Sequence, residues 1–154
     1  MERVMNLVRR ESKKQLARVM VPVHGYAVDK VAISLACEVA RKPKAQVYAL
    51  YVIEVQRTLP LDADLPPEAQ RGEEVLLQAE GIAEEQDYKL ETELLQARES
   101  GPAIVDEACE RGIDLIIMGV PYERHFGEFT LGNIVPYVLK NAPCEVWLCR
   151  EAQQ

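Results

Sequence analysis

The stretch that decides the reading is Met118-Gly-Val-Pro-Tyr-Glu-Arg-His-Phe-Gly-Glu-Phe-Thr-Leu-Gly-Asn-Ile-Val135. It follows a solidly apolar run, Ile113 to Met118, and leads into a helical pattern that starts near Gly132. A buried strand, a glycine, a polar loop and a second glycine at a helix start form the layout by which a parallel sheet offers backbone N–H groups to an anion. Working outward, Ile134, Val138 and Leu139 mark the helix after the loop, and Pro136 is tolerable only in its first turn. Cys144 to Arg150 then closes the chain as a strand.

Upstream, the same alternation recurs. Arg18 to Val23 is a short apolar strand followed at once by His24-Gly25. Val28, Val31, Ala32, Leu35, Ala36 and Val39 form the stripe of a helix with one buried face, stopped at Pro43. Val47 to Ile53 has no charge and many β-formers, so it is expected to be covered on both faces. Residues 54–67 hold three prolines and two aspartates and are expected to be loop. A helix follows with Val75, Leu76, Ala79, Ile82 and Ala83 on one side, weakened by Gly72 and Gly81. Tyr88 to Leu94 alternates as a half-exposed edge strand does. Ser100-Gly101-Pro102 opens a helix whose inner face is Ile104, Val105, Ala108 and Cys109, with Gly112 at its end.

Five strand–helix alternations call for an α/β fold, a three-layer sandwich around a five-stranded parallel sheet with right-handed crossovers. With the first and fourth strands most apolar and the third an edge, the economical order is 3-2-1-4-5. The switch point then falls between strands one and four, where His24-Gly25 and the Met118–Val135 loop meet.

Bulk properties narrow the function. The 154 residues suit one domain with a real core, and the net charge of −7 argues against a nucleic-acid-binding face. No apolar run is long enough to span a membrane, and Arg9, Arg10, Lys13 and Lys14 interrupt any signal-peptide core, so a cytoplasmic protein is expected. The four cysteines have no metal-ligand spacing and are expected to be buried thiols. Residues 1–17 form a basic extension, with Val4, Met5 and Val8 at helical spacing. Three apolar side chains make a weak membrane anchor, which favours packing on the domain or a neighbouring subunit over a membrane. The domain proper is expected over residues 18–150, with a tail at 151–154.

Six segments together give the chain a specific likeness. They are Val21-Pro22-Val23, Leu50-Tyr-Val-Ile53, Gly101-Pro-Ala103, Asp114-Leu-Ile-Ile-Met-Gly119, Leu131-Gly-Asn-Ile-Val135 and Asn141-Ala-Pro-Cys-Glu-Val146. In order and spacing the chain resembles the universal stress protein family over roughly residues 18–150. The resemblance implies an adenine nucleotide alpha hydrolase-like (HUP-type) sandwich, usually a homodimer, often binding ATP or a related adenine nucleotide, with roles in stress adaptation and no settled reaction. The resemblance and the switch-point layout together give a candidate nucleotide site at Pro22, His24, Gly25, Val52, Met118, Gly119, Tyr122, Arg124, Gly132, Asn133, Ile134 and Val135.

Three informative positions depart from the ATP-binding pattern. Tyr122 stands where a phosphate-loop glycine is expected, Asn133 replaces Ser or Thr, and His24 replaces an aspartate. Tyr122 removes the freedom of a glycine and brings a ring large enough to occupy part of a nucleotide site. His24 lacks a carboxylate for ribose, base or metal, whereas Asn133 can still donate to a phosphate oxygen. A site degenerate for ATP is therefore expected, in a regulatory protein that works through protein partners. The alternative is a sensor of ATP, AMP or a cyclic nucleotide held in an altered pose. His24 and His125, with Arg124 and Glu128 near, could move protons, but two histidines without a carboxylate ligand set make a poor metal site, and no catalytic or metal residue is assigned. The last strand carries Val146, Trp147 and Leu148; an edge offering Trp invites pairing with a second copy, as family dimers do.

Overall fold

Val19, Met20 and Val21 point alternately to the two faces of a sheet, as do Leu115, Ile116, Ile117 and Met118, and all seven are almost fully buried. Strands with no solvent face need helices on both sides. The computed structural model describes residues 15–122, 124–125 and 128–152, with only the backbone described at 124, 125, 128 and 129. Its elements are β1 (Arg18–Pro22), α1 (Val28–Arg41), β2 (Gln46–Glu54), α2 (Pro66–Glu84), β3 (Leu90–Ala97), α3 (Ser100–Arg111) and β4 (Leu115–Gly119). A small antiparallel ribbon, β5 (Arg124–His125) with β6 (Glu128–Phe129), precedes α4 (Ile134–Asn141) and β7 (Glu145–Cys149).

The main sheet runs β3-β2-β1-β4-β7, every pair parallel. That is the expected 3-2-1-4-5 order, with the small ribbon inserted before the last strand. One core lies between the sheet and α1 and α2, built on Val19, Val21, Ala36, Val47 and Ile117. The other holds Met20, Leu50, Ile104, Ile116 and Val138 under α3 and α4. Ile116 and Ile117 are fully buried on opposite faces, each worth about 1.5–3 kcal/mol relative to exposure.

Several local expectations need correction. The buried face of α1 is Val28, Asp29, Ala32, Ile33, Ala36, Cys37 and Ala40, while Val31 is exposed and Leu35 and Val39 are half-buried. Small residues let α1 lie close on the sheet, and Asp29 has buried work to do at the end of β1. The segment 54–67 is not all loop, since β2 runs to Glu54 and α2 begins at Pro66, with proline suited to a first turn. The remaining loop is tied down from β3's end. Arg98 Nη1 donates to the carbonyls of Gln56 (2.6 Å) and Leu59 (2.8 Å), and Gln96 donates to those of Leu61 (3.0 Å) and Ala63 (2.9 Å). β3 starts at Leu90 rather than Tyr88, because the Tyr88 hydroxyl instead reaches back to the carbonyls of Ala40 and Ala45. Cys37 is buried, but Cys109 is exposed on the outer face of α3, and Cys144 and Cys149 are half-buried against opposite cores. No helix among the described residues is long and apolar enough to cross a membrane.

Candidate functional site

The chain leaves β1 in a tight turn at His24-Gly25, and the turn is held by the first turn of α1. Asp29, 8 % exposed, accepts from the Gly25 N–H at 2.7 Å and from the His24 N–H at 3.1 Å through Oδ2, with Oδ1 3.4 Å from the latter. Gly25 has φ +90° and lies against α2, where a Cβ would sit 2.7 Å from Arg71 Nη2 and 2.9 Å from Val75 Cγ2. Neither the conformation nor the space suits a side chain. At the end of β4, Gly119 lets α1 approach: a Cβ there would be 3.0 Å from Val28 Cγ1 and 3.2 Å from the Val28 carbonyl oxygen. Gly119 therefore has a packing role independent of any ligand.

Across from this turn, Gly132 adopts φ +70° with open space around it, and its N–H donates to Thr130 Oγ1 at 3.1 Å. Asn133 caps α4 by position only, because its side chain makes no capping hydrogen bond. The first turn of α4 thus keeps the unpaired N–H groups that favour an anion.

Between the two walls lies a crevice of about 160 Å³. His24, Met118, Gly119, Gly132, Asn133, Ile134 and Val135 line it, joined by Tyr26, Pro121 and Leu131, which the sequence did not single out. A second cavity of about 310 Å³ continues past His24 and Ile134 to Val52, Glu54, Glu68 and Ser100. A third, of about 410 Å³, runs from Asn133 and Ile134 to Arg98, Glu99 and Ser100. The first is below the ~300 Å³ at which ligand pockets usually begin, so a nucleotide-sized guest must use the neighbours as well.

The other expected residues lie elsewhere. Pro22 is buried in β1, paired with Leu50 of β2. Gly25 faces a groove between α1 and α2. Tyr122 is 43 % exposed, with the Arg150 guanidinium 5.5 Å from its ring centroid, and it is not among the residues lining the three cavities. Its ring thus lies beside Arg150, just past the end of β7. The Arg124 and His125 side chains lie outside the described residues. Val146, Trp147 and Leu148 are on the β7 edge, with Trp147 36 % and Leu148 39 % exposed. A groove of about 480 Å³ at the opposite end of the sheet involves Leu16, Asp114 and Trp147. Although larger, it lies at the amino ends of the strands, away from the end where parallel sheets bind ligands. Its Asp114 carboxylate is engaged by the Ala17 and Arg18 N–H groups, both at 2.9 Å.

The missed residues had faint signals. Asp29 is an acid in a first helical turn, a place that favours negative charge. Ser100 opens α3 beside Gly101-Pro102. In both cases the polar role depends on neighbours brought in by the fold.

Burial pushes the His24 imidazole below the usual 6.5, against the opposing pull of the Asp29 and Glu54 carboxylates. A depressed folded pKa means the unfolded chain takes the proton first. The stability contributed by neutral His24 is therefore present above pH 6.5 and lost as the pH falls through the folded pKa. His24→Gln is expected to flatten the decline of folding stability below pH 6.5, measured by urea denaturation at pH 7.5 and pH 5.5. An unchanged pH profile would show that His24 titrates alike in both states.

Comparison with known proteins agrees with this geometry. Residues 16–150 match the universal stress protein family. A universal stress protein of Methanocaldococcus jannaschii is 28 % identical over 157 aligned positions, covering 98 % of this chain and 92 % of the relative. A solved universal stress protein from Archaeoglobus fulgidus superposes with TM-score 0.73 at 22 % identity, covering 86 % of this chain and 97 % of the other. An Archaeoglobus fulgidus universal stress protein in complex with dAMP gives TM-score 0.70 at 20 % identity, over 86 % and 96 % of the two chains. The fold is the HUP-type α/β sandwich of these neighbours. The chain belongs to the universal stress protein family.

Proposed function

We propose that this protein is a non-catalytic regulator of stress adaptation, acting as a homodimer through protein partners, with a nucleotide crevice that is weak for ATP. The observation that carries this is the charge of the crevice. Among the described residues lining the 160 Å³ compartment there is no cationic side chain, and around the adjoining cavities Glu54, Glu68 and Glu99 outnumber the single Arg98. A triphosphate needs clustered positive charge or a metal to offset its own repulsion. The β7 edge, with Trp147 and Leu148 exposed, supports self-pairing.

A second reading, sensing of a smaller adenine nucleotide, is favoured by the uncapped start of α4 at Gly132-Asn133. The dAMP complex of a protein with the same fold makes that ligand class a sensible probe.

Thermal denaturation with and without millimolar ATP tests the main reading. A ligand at 100 times its Kd adds about 2.7 kcal/mol, enough for a shift of several degrees in a domain of this size. Less than one degree is expected, and a shift of several degrees would overturn the weak-ATP reading. The same preparation should sediment as a dimer; a monomer at micromolar concentration removes the dimeric part.

A further inference from the structure

Ser100, the first residue of α3, is 5 % exposed. Among the described residues every fully enclosed side-chain polar atom has a hydrogen-bond partner, yet the Ser100 hydroxyl makes no hydrogen bond to any of them. Its oxygen must therefore be the part of the residue that still meets solvent. The space it can meet is that of the two cavities it lines, one shared with His24 and Val52 and the other with Arg98 and Asn133. A serine at a helix start commonly spends its hydroxyl on nearby backbone. This one is left open toward the site.

Three further features surround it. α3 has 12 residues and α4 has 8, neither has a side-chain cap, and the first residues of both border the 410 Å³ cavity. Each uncapped end carries roughly half a positive charge. Gly101 brings the two ends together, since a Cβ there would be 2.9 Å from Tyr137 Cδ1 of α4. Arg98 stands at the rim, fixed through Nη1 to the Gln56 and Leu59 carbonyls, with no partner for Nε or Nη2 among the described residues.

We propose that the N-terminus of α3, with the Ser100 hydroxyl at its centre and Arg98 at its rim, is a subsite for a single phosphoryl group. Together with the crevice it takes an adenine mononucleotide, base toward Met118 and Gly119, phosphate toward Ser100. This rests on the nucleotide reading of the crevice for the base, while the phosphoryl subsite stands on its own geometry. The exposed carboxylates of Glu54, Glu68 and Glu99 set the limit of one phosphate. They can accept from ribose hydroxyls, but each additional phosphate adds negative charge against them.

Calorimetric titration of the full chain with adenosine, AMP, ATP and inorganic phosphate at fixed ionic strength is the test. Wild type should bind AMP about tenfold or more tightly than adenosine, the range of a hydrogen bond to a charged group. Ser100→Ala removes a hydroxyl that no described residue uses. It should keep the ligand-free melting temperature and lose the advantage of AMP over adenosine. Ser100→Glu, which places a carboxylate in the cavity, should abolish AMP and phosphate binding while sparing adenosine. Equal affinity for AMP and adenosine in wild type, or a preference that survives both substitutions, overturns the subsite. Ser100-dependent binding of phosphate with no binding of adenosine or AMP would leave the subsite standing and remove the adenine reading of the crevice. Adenosine binding that gains nothing from a phosphate does the reverse.

Discussion

Replacing Asp29 by Ala is expected to destabilise the fold by about 2–3 kcal/mol at pH 7, the cost of leaving two partly buried N–H groups without their acceptor. The carboxylate closes the turn after β1, accepting from both His24 and Gly25, and no other described side chain does so. Two effects oppose each other at this group. Burial pushes its pKa above 3.8, whereas hydrogen bonds from the Gly25 and His24 N–H groups pull it down, and burial is the larger. A raised folded pKa means that the folded protein holds the proton more tightly than the unfolded chain. The proton-linked part of Asp29's contribution, added to that of its hydrogen bonds, is then fully present below pH 3.8 and lost as pH rises through the folded pKa. The lead of wild type over Asp29→Ala should accordingly be larger at pH 4 than at pH 7. Asp29→Asn, which keeps one acceptor and buries no charge, should cost less than half as much as Ala. Urea denaturation of the three proteins at the two pH values decides it. If Asp29→Ala matches wild type at pH 7, water serves the two N–H groups equally well and the turn does not depend on this residue.

Gly72→Ala is expected to cost up to about 2 kcal/mol net. Its Cβ would lie 2.3 Å from Leu94 Cδ1 and 2.7 Å from Tyr51 Cδ1, so those side chains or α2 itself would have to shift. Overpacking of this kind costs about 1–3 kcal/mol, and the better helix propensity of alanine returns only about 1 kcal/mol. Gly81, nine residues further along the same helix, is the internal control. A Cβ there meets nothing within 4 Å, so Gly81→Ala should stabilise by up to about 1 kcal/mol. The two variants should move the urea midpoint in opposite directions. Shifts of the same sign would mean that the gap between α2 and the sheet adapts to a methyl group.

These two glycines show what sequence can and cannot say. From the sequence both are helix-weakening residues of equal weight, because propensity is a property of the residue alone. The fold separates them by placing one under Tyr51 and Leu94 and the other beside an open groove. The buried face of α1 is offset from its apolar stripe for a related reason. Val31 and Val39 are as apolar as Val28, but the sheet takes the side carrying Ala32, Ala36 and Ala40, where close approach yields more contact.

The strand alternation, the 3-2-1-4-5 order and the place of the crevice were all legible without coordinates. They follow from apolar runs whose length and spacing are local, and from chirality and switch-point rules that hold for any parallel sheet. Membership of the family was legible in the six segments. The direction of Tyr122 toward Arg150, the role of Asp29 under the β1 turn and the open hydroxyl of Ser100 were decided only in three dimensions. Each depends on where a polar or aromatic group finds a partner, or fails to find one, among residues brought together by folding. One-dimensional pattern carries hydrophobic periodicity well, and it carries almost nothing about the satisfaction of individual polar groups.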